Sequence, residues 1–203
     1  SQEIYQDMPV YPGHLKTVVW THASHEEVKR QLGTGFSYET RGIMFCDHGP
    51  THIDSVSHLS TDPDAPPVDK IPLEHCVTSA ICLDVSDVAR KTQFGRPKIE
   101  EQLKNWNLSI RQGDTLLFYT AHYDRYYGKP EYMTDYPGLD REATEFIIDQ
   151  GCINFGVDSA SPDMWYDKTY PCHSVCAERK VTHIENLCNL DKIVGQRFTF
   201  IAL

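Results

Sequence analysis

No stretch of this chain approaches the ~20 apolar residues that a membrane-spanning helix needs, and no signal peptide pattern opens it. Basic residues are scarce: 19 Lys and Arg stand against 29 Asp and Glu, a formal net charge of −10. A basic cluster such as Arg179-Lys180 is too small for a nucleic-acid surface, so neither nucleic acid nor a membrane is expected as a partner. There is no C-x-x-C pair, and the seven cysteines (Cys46, Cys76, Cys82, Cys152, Cys172, Cys176 and Cys188) form an odd set. Cys172-His173-Ser174-Val175-Cys176 resembles half of a zinc motif, but no second cysteine pair completes it. Ala80-Ile81-Cys82-Leu83 and Gly151-Cys152-Ile153 use cysteine as a small hydrophobe. A disulfide framework is not expected, and a reducing, cytoplasmic home is. The G-x-S-x-G elbow of serine hydrolases is missing, as are internal repeats, linkers and low-complexity tracts.

What remains is a chain of ordinary globular composition. At 203 residues, with a hydrophobic share of 40% and an aromatic share of 11%, it has enough material for one domain with a full core. Thr17 to Thr21 and Gly42 to Cys46 read as strands, with a short helix from His25 to Leu32 capped by Ser24. Ala80 to Val85, Thr115 to Thr120 and Cys152 to Val157 are short apolar runs of the buried-strand type. Helices are expected from Ile99 to Trp106 and from Asp140 to Gln150, a helix or helical turn from Ile184 to Leu190, and a closing strand from Arg197 to Leu203. Strands with few intervening helices predict an α/β fold: a single domain, residues 1–203, around a mixed sheet.

Chemistry concentrates in one place. His48-Gly49-Pro50-Thr51-His52-Ile53-Asp54-Ser55-Val56-Ser57-His58 holds three imidazoles and a carboxylate within eleven residues. These groups ligate zinc, manganese or iron. A helix would scatter them, and Pro50 would break it. An extended chain turns positions 48, 52, 54 and 58 to one side. Ten straight strand residues would span about 33 Å, too far for one ion, so the segment must bend at Gly49-Pro50 or Ser55-Val56-Ser57. The reading is a strand-and-loop metal cradle. It calls for further ligands from elsewhere, among His14, His22, His25, His75, His122, His173 and His183.

His48-x-x-Thr51-His52-x-Asp54-x-x-x-His58 resembles the H-x-G-T-H-x-D-x-P-x-H signature of the cyclase family of metal-dependent hydrolases, which includes bacterial kynurenine formamidase and isatin hydrolase. Asp7-Met8-Pro9-Val10-Tyr11-Pro12-Gly13 is similar to the family's M-P-x-W-P-G segment, and Gly156-Val157-Asp158-Ser159 to its G-[IV]-D-[TS] strand end. His173, followed by Ile184-Glu185-Asn186-Leu187, is similar to its distal His and E-N-L pair. The resemblance implies a swivelling β/β/α fold and two divalent metal ions, zinc first and manganese second. It implies that His48 and His52 bind the first ion, that His173 binds the second, and that Asp54 and Glu185 bridge them. His58 would donate and accept the proton, and Tyr11 would contact the substrate. A small-molecule amide substrate and a homodimer or higher homo-oligomer are implied as well. The chain departs from the pattern at Pro50, Val56 and Tyr11, which replace Gly, Pro and Trp, and in a His22–Thr40 stretch with no clear counterpart.

The activity so implied is arylformamidase: N-formylkynurenine to kynurenine and formate, by metal-activated water, in tryptophan breakdown. Isatin-type lactam opening is the alternative within the enzyme class. A catalytically silent, metal-binding scaffold is the alternative outside it. Asp158 is expected to support a ligating histidine, His183 to be a surface neighbour of Glu185, the His122–Tyr127 loop to line the pocket or form a polar, aromatic rim, and Trp165 to stack on an aryl substrate or lie in the core. Cys46 and Cys172 are the candidates for a competing thiol nucleophile.

Overall fold

A computed structural model describes residues 1–202, and by contacts these fall into two compact units, Glu3–Pro50 and the remainder. In the first unit, Ser24 starts a helix because its hydroxyl accepts from Glu27 N–H while Glu27 Oε2 accepts from Ser24 N–H at 2.8 Å. This capping box satisfies amides that have no partner inside the helix. Strand β1 (Val18–Ala23), helix α1 (His25–Leu32) and strand β2 (Thr40–Met44) follow in order, and Gly33 ends α1 at φ 62°. β1 and β2 pair antiparallel, with Trp20 opposite Gly42. The indole lies where a Cβ on Gly42 would be, so only glycine fits beneath it.

The second unit carries β3 (His52–Asp54), α2 (Val56–Leu59), α3 (Leu73–Cys76), β4 (Val77–Asp84), β5 (Gln93–Phe94) and α4 (Arg96–Asn105). Then come β6 (Thr115–Tyr119), α5 (His122–Tyr126), β7 (Gly138–Leu139), α6 (Arg141–Asp149), β8 (Asn154–Val157), α7 (Pro171–Arg179), β9 (Thr182–Glu185) and β10 (Arg197–Ile201). Six of these strands form one mixed sheet in the order β10-β4-β6-β8-β9-β3. The inner four run parallel, and the two edge strands run antiparallel to their neighbours.

Strand alternation sorts the apolar residues onto two faces. Ile81, Leu83, Leu116, Phe118, Phe155 and Val157 pack against Ile99 of α4, Ala143 and Ile147 of α6, and Cys172 and Cys176 of α7. On the other face Cys82, Leu117 and Ile184 meet Leu187 and Leu190, with Phe198 and Phe200 of β10 beside them. Burial on both faces explains why the inner strands read as continuous apolar runs. The mixed α/β sheet expected from the sequence is present.

The expected helix or helical turn over Ile184–Leu190 is not: helical backbone begins only at Leu190. Residues through Glu185 form β9, and Asn186 and Asn189 turn the chain with φ of 58° and 59°. Asn186 N–H then bonds Ser159 O, and Leu187 N–H bonds Val157 O, so the backbone clings to the sheet instead of coiling. Ile184, Leu187 and Leu190 sit three apart and all enter one apolar cluster. A helical spacing of burial has here been produced by a strand, a left-handed turn and a 3-10 turn at Leu190–Lys192.

Helix α6 matches its expected start, because Asp140 accepts a 2.7 Å bond from Ala143 N–H. Asp140→Ala should lower unfolding free energy by about 1 kcal/mol in denaturant titration. A change within the error of the unfolding curve would show that the cap adds nothing.

Candidate metal centre

The edge ladder β3–β9 builds the site. Its register sets His52 opposite Glu185, Ile53 opposite Ile184, and Asp54 opposite His183. Because side chains alternate, the two Ile point to the apolar face and the four polar residues share the other. Directly opposed Cβ atoms in such a ladder lie about 5 Å apart, which brings the tips of these side chains together. Asp54 and His183 are buried almost completely, and Glu185 nearly so.

Helix α7 delivers His173 to the same place. Pro171 occupies its first turn, where a missing N–H costs nothing. Asp163 binds that turn through Cys172 N–H at 2.7 Å and His173 N–H at 3.2 Å, and also pairs with His173 Nδ1 at 2.5 Å. With Nδ1 so engaged, Nε2 faces the carboxylates. His58 belongs to α2 and is half exposed, with Nε2 3.7 Å from Asp54 Oδ2.

Asp54, His173, His183 and Glu185 each offer an atom to a group lying within 4.8 Å of one another. His183 Nε2 stands 3.3 Å from Asp54 Oδ2, and His173 Nε2 stands 3.7 Å from it. Charge-assisted hydrogen bonds close to about 2.7–2.9 Å. Ligands about 2.1 Å from a tetrahedral ion stand roughly 3.4 Å from each other. The observed separations fall in the second range, and imidazole with carboxylate is a metal donor set, so the residues fit an ion. The electrostatics agree. Burial works against charge on His183, yet Asp54, Cys176 and Glu185 outweigh it and hold its pKa well above the usual value. Two buried carboxylates require positive charge beside them.

Of the residues singled out in the sequence, the structure brings together His52, Asp54, His173 and Glu185, with His58 at their side. His48 and Tyr11 belong to the other unit. There Tyr11 faces His14 at 5.2 Å between ring centroids, and His14 faces His48 at 6.1 Å. His183 is no surface neighbour: it is fully buried in the cluster, and the alternation His183-x-Glu185 within a strand would have shown this. Among the described residues no histidine bonds Asp158. Its Oδ1 accepts from Thr120 N–H and hydroxyl, and burial pushes its carboxyl up to about 6 despite those bonds. The supporting carboxylate is Asp163, which no motif marked. His122 is a core residue stacked on Tyr132, and burial lowers its pKa to about 4. Trp165 packs against the same tyrosine cluster. Cys172 is wholly buried, and burial raises its thiol pKa against the opposing bond with Thr144, which removes it as a nucleophile.

The ends of the ladder are clamped by a polar chain. Thr51, just before His52, donates to Asn186 O, just after Glu185. Gln2 N–H donates to Thr51 Oγ1 at 2.8 Å, Gln2 Nε2 to Tyr132 OH at 2.7 Å, and Tyr132 OH to Asn186 Oδ1 at 3.0 Å.

Asp163→Asn should weaken zinc binding about 10–100-fold, read by competition with a chelator, because the His173 ring loses its fixed orientation. Unchanged affinity would show that the Asp163–His173 bond does not serve metal binding.

Known proteins resemble this chain in sequence and in fold. A kynurenine formamidase from Bacillus mycoides (strain KBAB4) is 25% identical over 203 residues, all of this chain and 87% of that protein. Isatin hydrolase A from Labrenzia aggregata, bound to benzyl benzoate, superposes with a TM-score of 0.82 at 19% identity, covering 99% of this chain and 84% of that one. Isatin hydrolase A from Ralstonia solanacearum also gives 0.82, at 22% identity, over 96% of this chain and 80% of that one. A structure described as a predicted metal-dependent hydrolase from Bacillus stearothermophilus gives 0.69 at 20% identity, over 97% and 83%. At these identities the structural likeness establishes the fold. A family model described as a putative cyclase matches residues 1–164, most of the sequence and all of β3 with its histidine motif, and the chain therefore belongs to the cyclase family.

Proposed function

We propose that this protein is a metal-dependent amide hydrolase that cleaves the carbon–nitrogen bond of N-formylkynurenine to give kynurenine and formate. The observation that carries the reading is the buried Asp54, His173, His183 and Glu185 group on the β3–β9 ladder, with His58 half exposed beside it. The kynurenine formamidase relative supports the substrate class. Isatin-type lactam opening is the second substrate reading.

His52 and Asp54 would hold one ion and His173 another, with Asp54 and Glu185 available to both. His48 joins the first by the sequence motif, four residues before His52. Zinc is the expected metal and manganese the next. A bound divalent ion lowers the pKa of its water from about 15.7 towards 7 and polarises a carbonyl. The chain's own part is to place and to move protons. Asp54 and Glu185 neutralise the charge in a buried site, and Asp163 holds the His173 ring. His58 touches Asp54 on one side and solvent on the other, so its Nε2 is placed to deliver a proton to the leaving nitrogen. Imidazole is the side chain that exchanges protons near neutral pH. By the family resemblance alone, Tyr11 would contribute an aromatic surface for an aryl substrate. The family resemblance also supports a homodimer, a cytoplasmic home and one hydrolase domain across residues 1–203. No helix among the described residues is long and apolar enough to cross a membrane.

Protein freed of metal by chelation should hydrolyse neither N-formylkynurenine nor isatin, and zinc or manganese should restore one of these activities. Hydrolysis by metal-free protein would overturn the mechanism, and full metal content with inactivity on both substrates would favour a binding scaffold.

His58→Ala should retain metal by elemental analysis and lose about 10²–10⁴-fold in kcat. His52→Ala, in contrast, should lose metal. Wild-type turnover in His58→Ala would remove His58 from the proton path, and loss of metal would make it a ligand.

A further inference from the structure

Asp54 and Glu185 turn their two oxygens toward different histidines. His183 Nε2 lies 3.3 Å from Asp54 Oδ2 and 3.3 Å from Glu185 Oε1. His173 Nε2 lies 3.7 Å from those same two oxygens. His52 Nε2 instead approaches the other pair, Asp54 Oδ1 at 3.2 Å and Glu185 Oε2 at 3.5 Å. We propose that the two carboxylates divide the cluster into two metal positions, and that His183 is a ligand completing one of them. That position would be held by His173, His183, Asp54 Oδ2 and Glu185 Oε1. The inference rests on the metal-dependent reading above and adds a ligand that the histidine motif does not contain.

Three features support it. His183 is fixed in direction as a ligand must be: it is fully buried, stacked on Phe155 at 5.6 Å between centroids, and edge-on to His173 at 4.7 Å. Its strand neighbours are set by the ladder, since it stands opposite Asp54 and two residues before Glu185 on the same face. Its equal separations from two carboxylate oxygens match the edge of a tetrahedral shell and exceed those of a closed ion pair.

The consequence concerns the division of labour. Zinc held by four protein groups has no position left for water, which is the character of structural sites, whereas catalytic sites keep a position open. The closed position lies on the His173–His183 side. The position on the His52 side, reached by the opposite carboxylate oxygens, is then the one that takes water and substrate, its shell expanding beyond four.

The test uses metal-free full-length protein titrated with cobalt(II), whose visible absorption is intense in four-coordinate sites and weak in six-coordinate ones. Wild type should take up about two ions per chain, as two-metal sites do. The intense spectrum should belong to one of them. His183→Gln should lose that ion and its absorption, while His52→Ala should lose the other ion and keep this one with its absorption. His183→Gln with unchanged stoichiometry and spectrum would overturn the proposal. If His183→Gln does not fold, wild type alone decides: weak absorption from every bound ion overturns it, and one intense ion supports it. Wild type that binds no cobalt or zinc at all would overturn the metal-dependent reading itself, a result distinct from either.

Discussion

Three residues of β3 run against four of β9 at the edge of the sheet, and the register of that short ladder places Asp54, Glu185, His52 and His183 on one side and Ile53 with Ile184 on the other. A slip of one residue would put the isoleucines among the charges and the carboxylates into the apolar cluster. The Ile pair therefore resists the slip as strongly as the site does. It packs against Leu117, Leu187 and Leu190, and apolar burial of this kind contributes on the order of 2 kcal/mol per side chain. Thr51 and Asn186 tie the two strands just outside the ligands, and the left-handed Asn186 ends β9 before another residue can extend the pairing.

Holding two carboxylates in the interior is costly unless they face cations. The protein meets that cost with imidazoles whose directions are set from outside the cluster. Asp163 orients His173 by binding its Nδ1 while also satisfying the first turn of α7, so one carboxylate anchors both a helix and a ring. Phe155 stacks on His183 from the next strand. Helix α7 itself is seated by Cys172 and Cys176, which enter the core beside Ala143 and Ile147. The cysteine spacing that resembled half of a zinc motif is thus a packing stripe, and the histidine between its members is the residue that faces the charges.

Much of the sheet could be read along the chain. The apolar runs at β4, β6 and β8 are continuous because both faces are covered, and Ser24 and Asp140 cap their helices through side chains three residues from their targets. Such signals are local. The segment after β9 misled for an equally physical reason: Ile184, Leu187 and Leu190 bury at helical spacing while the backbone bonds to Val157 and Ser159 of β8's end. Burial was legible there, but the donor and acceptor of each backbone bond were not.

The sequence by itself determined the chemistry of the candidate site's first residues, because His52, Asp54 and His58 are neighbours in one strand and the turn after it, where alternation and a bend suffice to gather them. It also determined that His173 and Glu185 belong with them, through their likeness to a family pattern. Only the tertiary structure decided the rest. Asp163 and His173 are ten residues apart in sequence and meet because α7 begins beside the loop that follows β8. His183 becomes a neighbour of Asp54 through an antiparallel pairing of strands more than a hundred residues apart. No local pattern encodes such a pairing, since it follows from which edge of the sheet remains open when the core has closed.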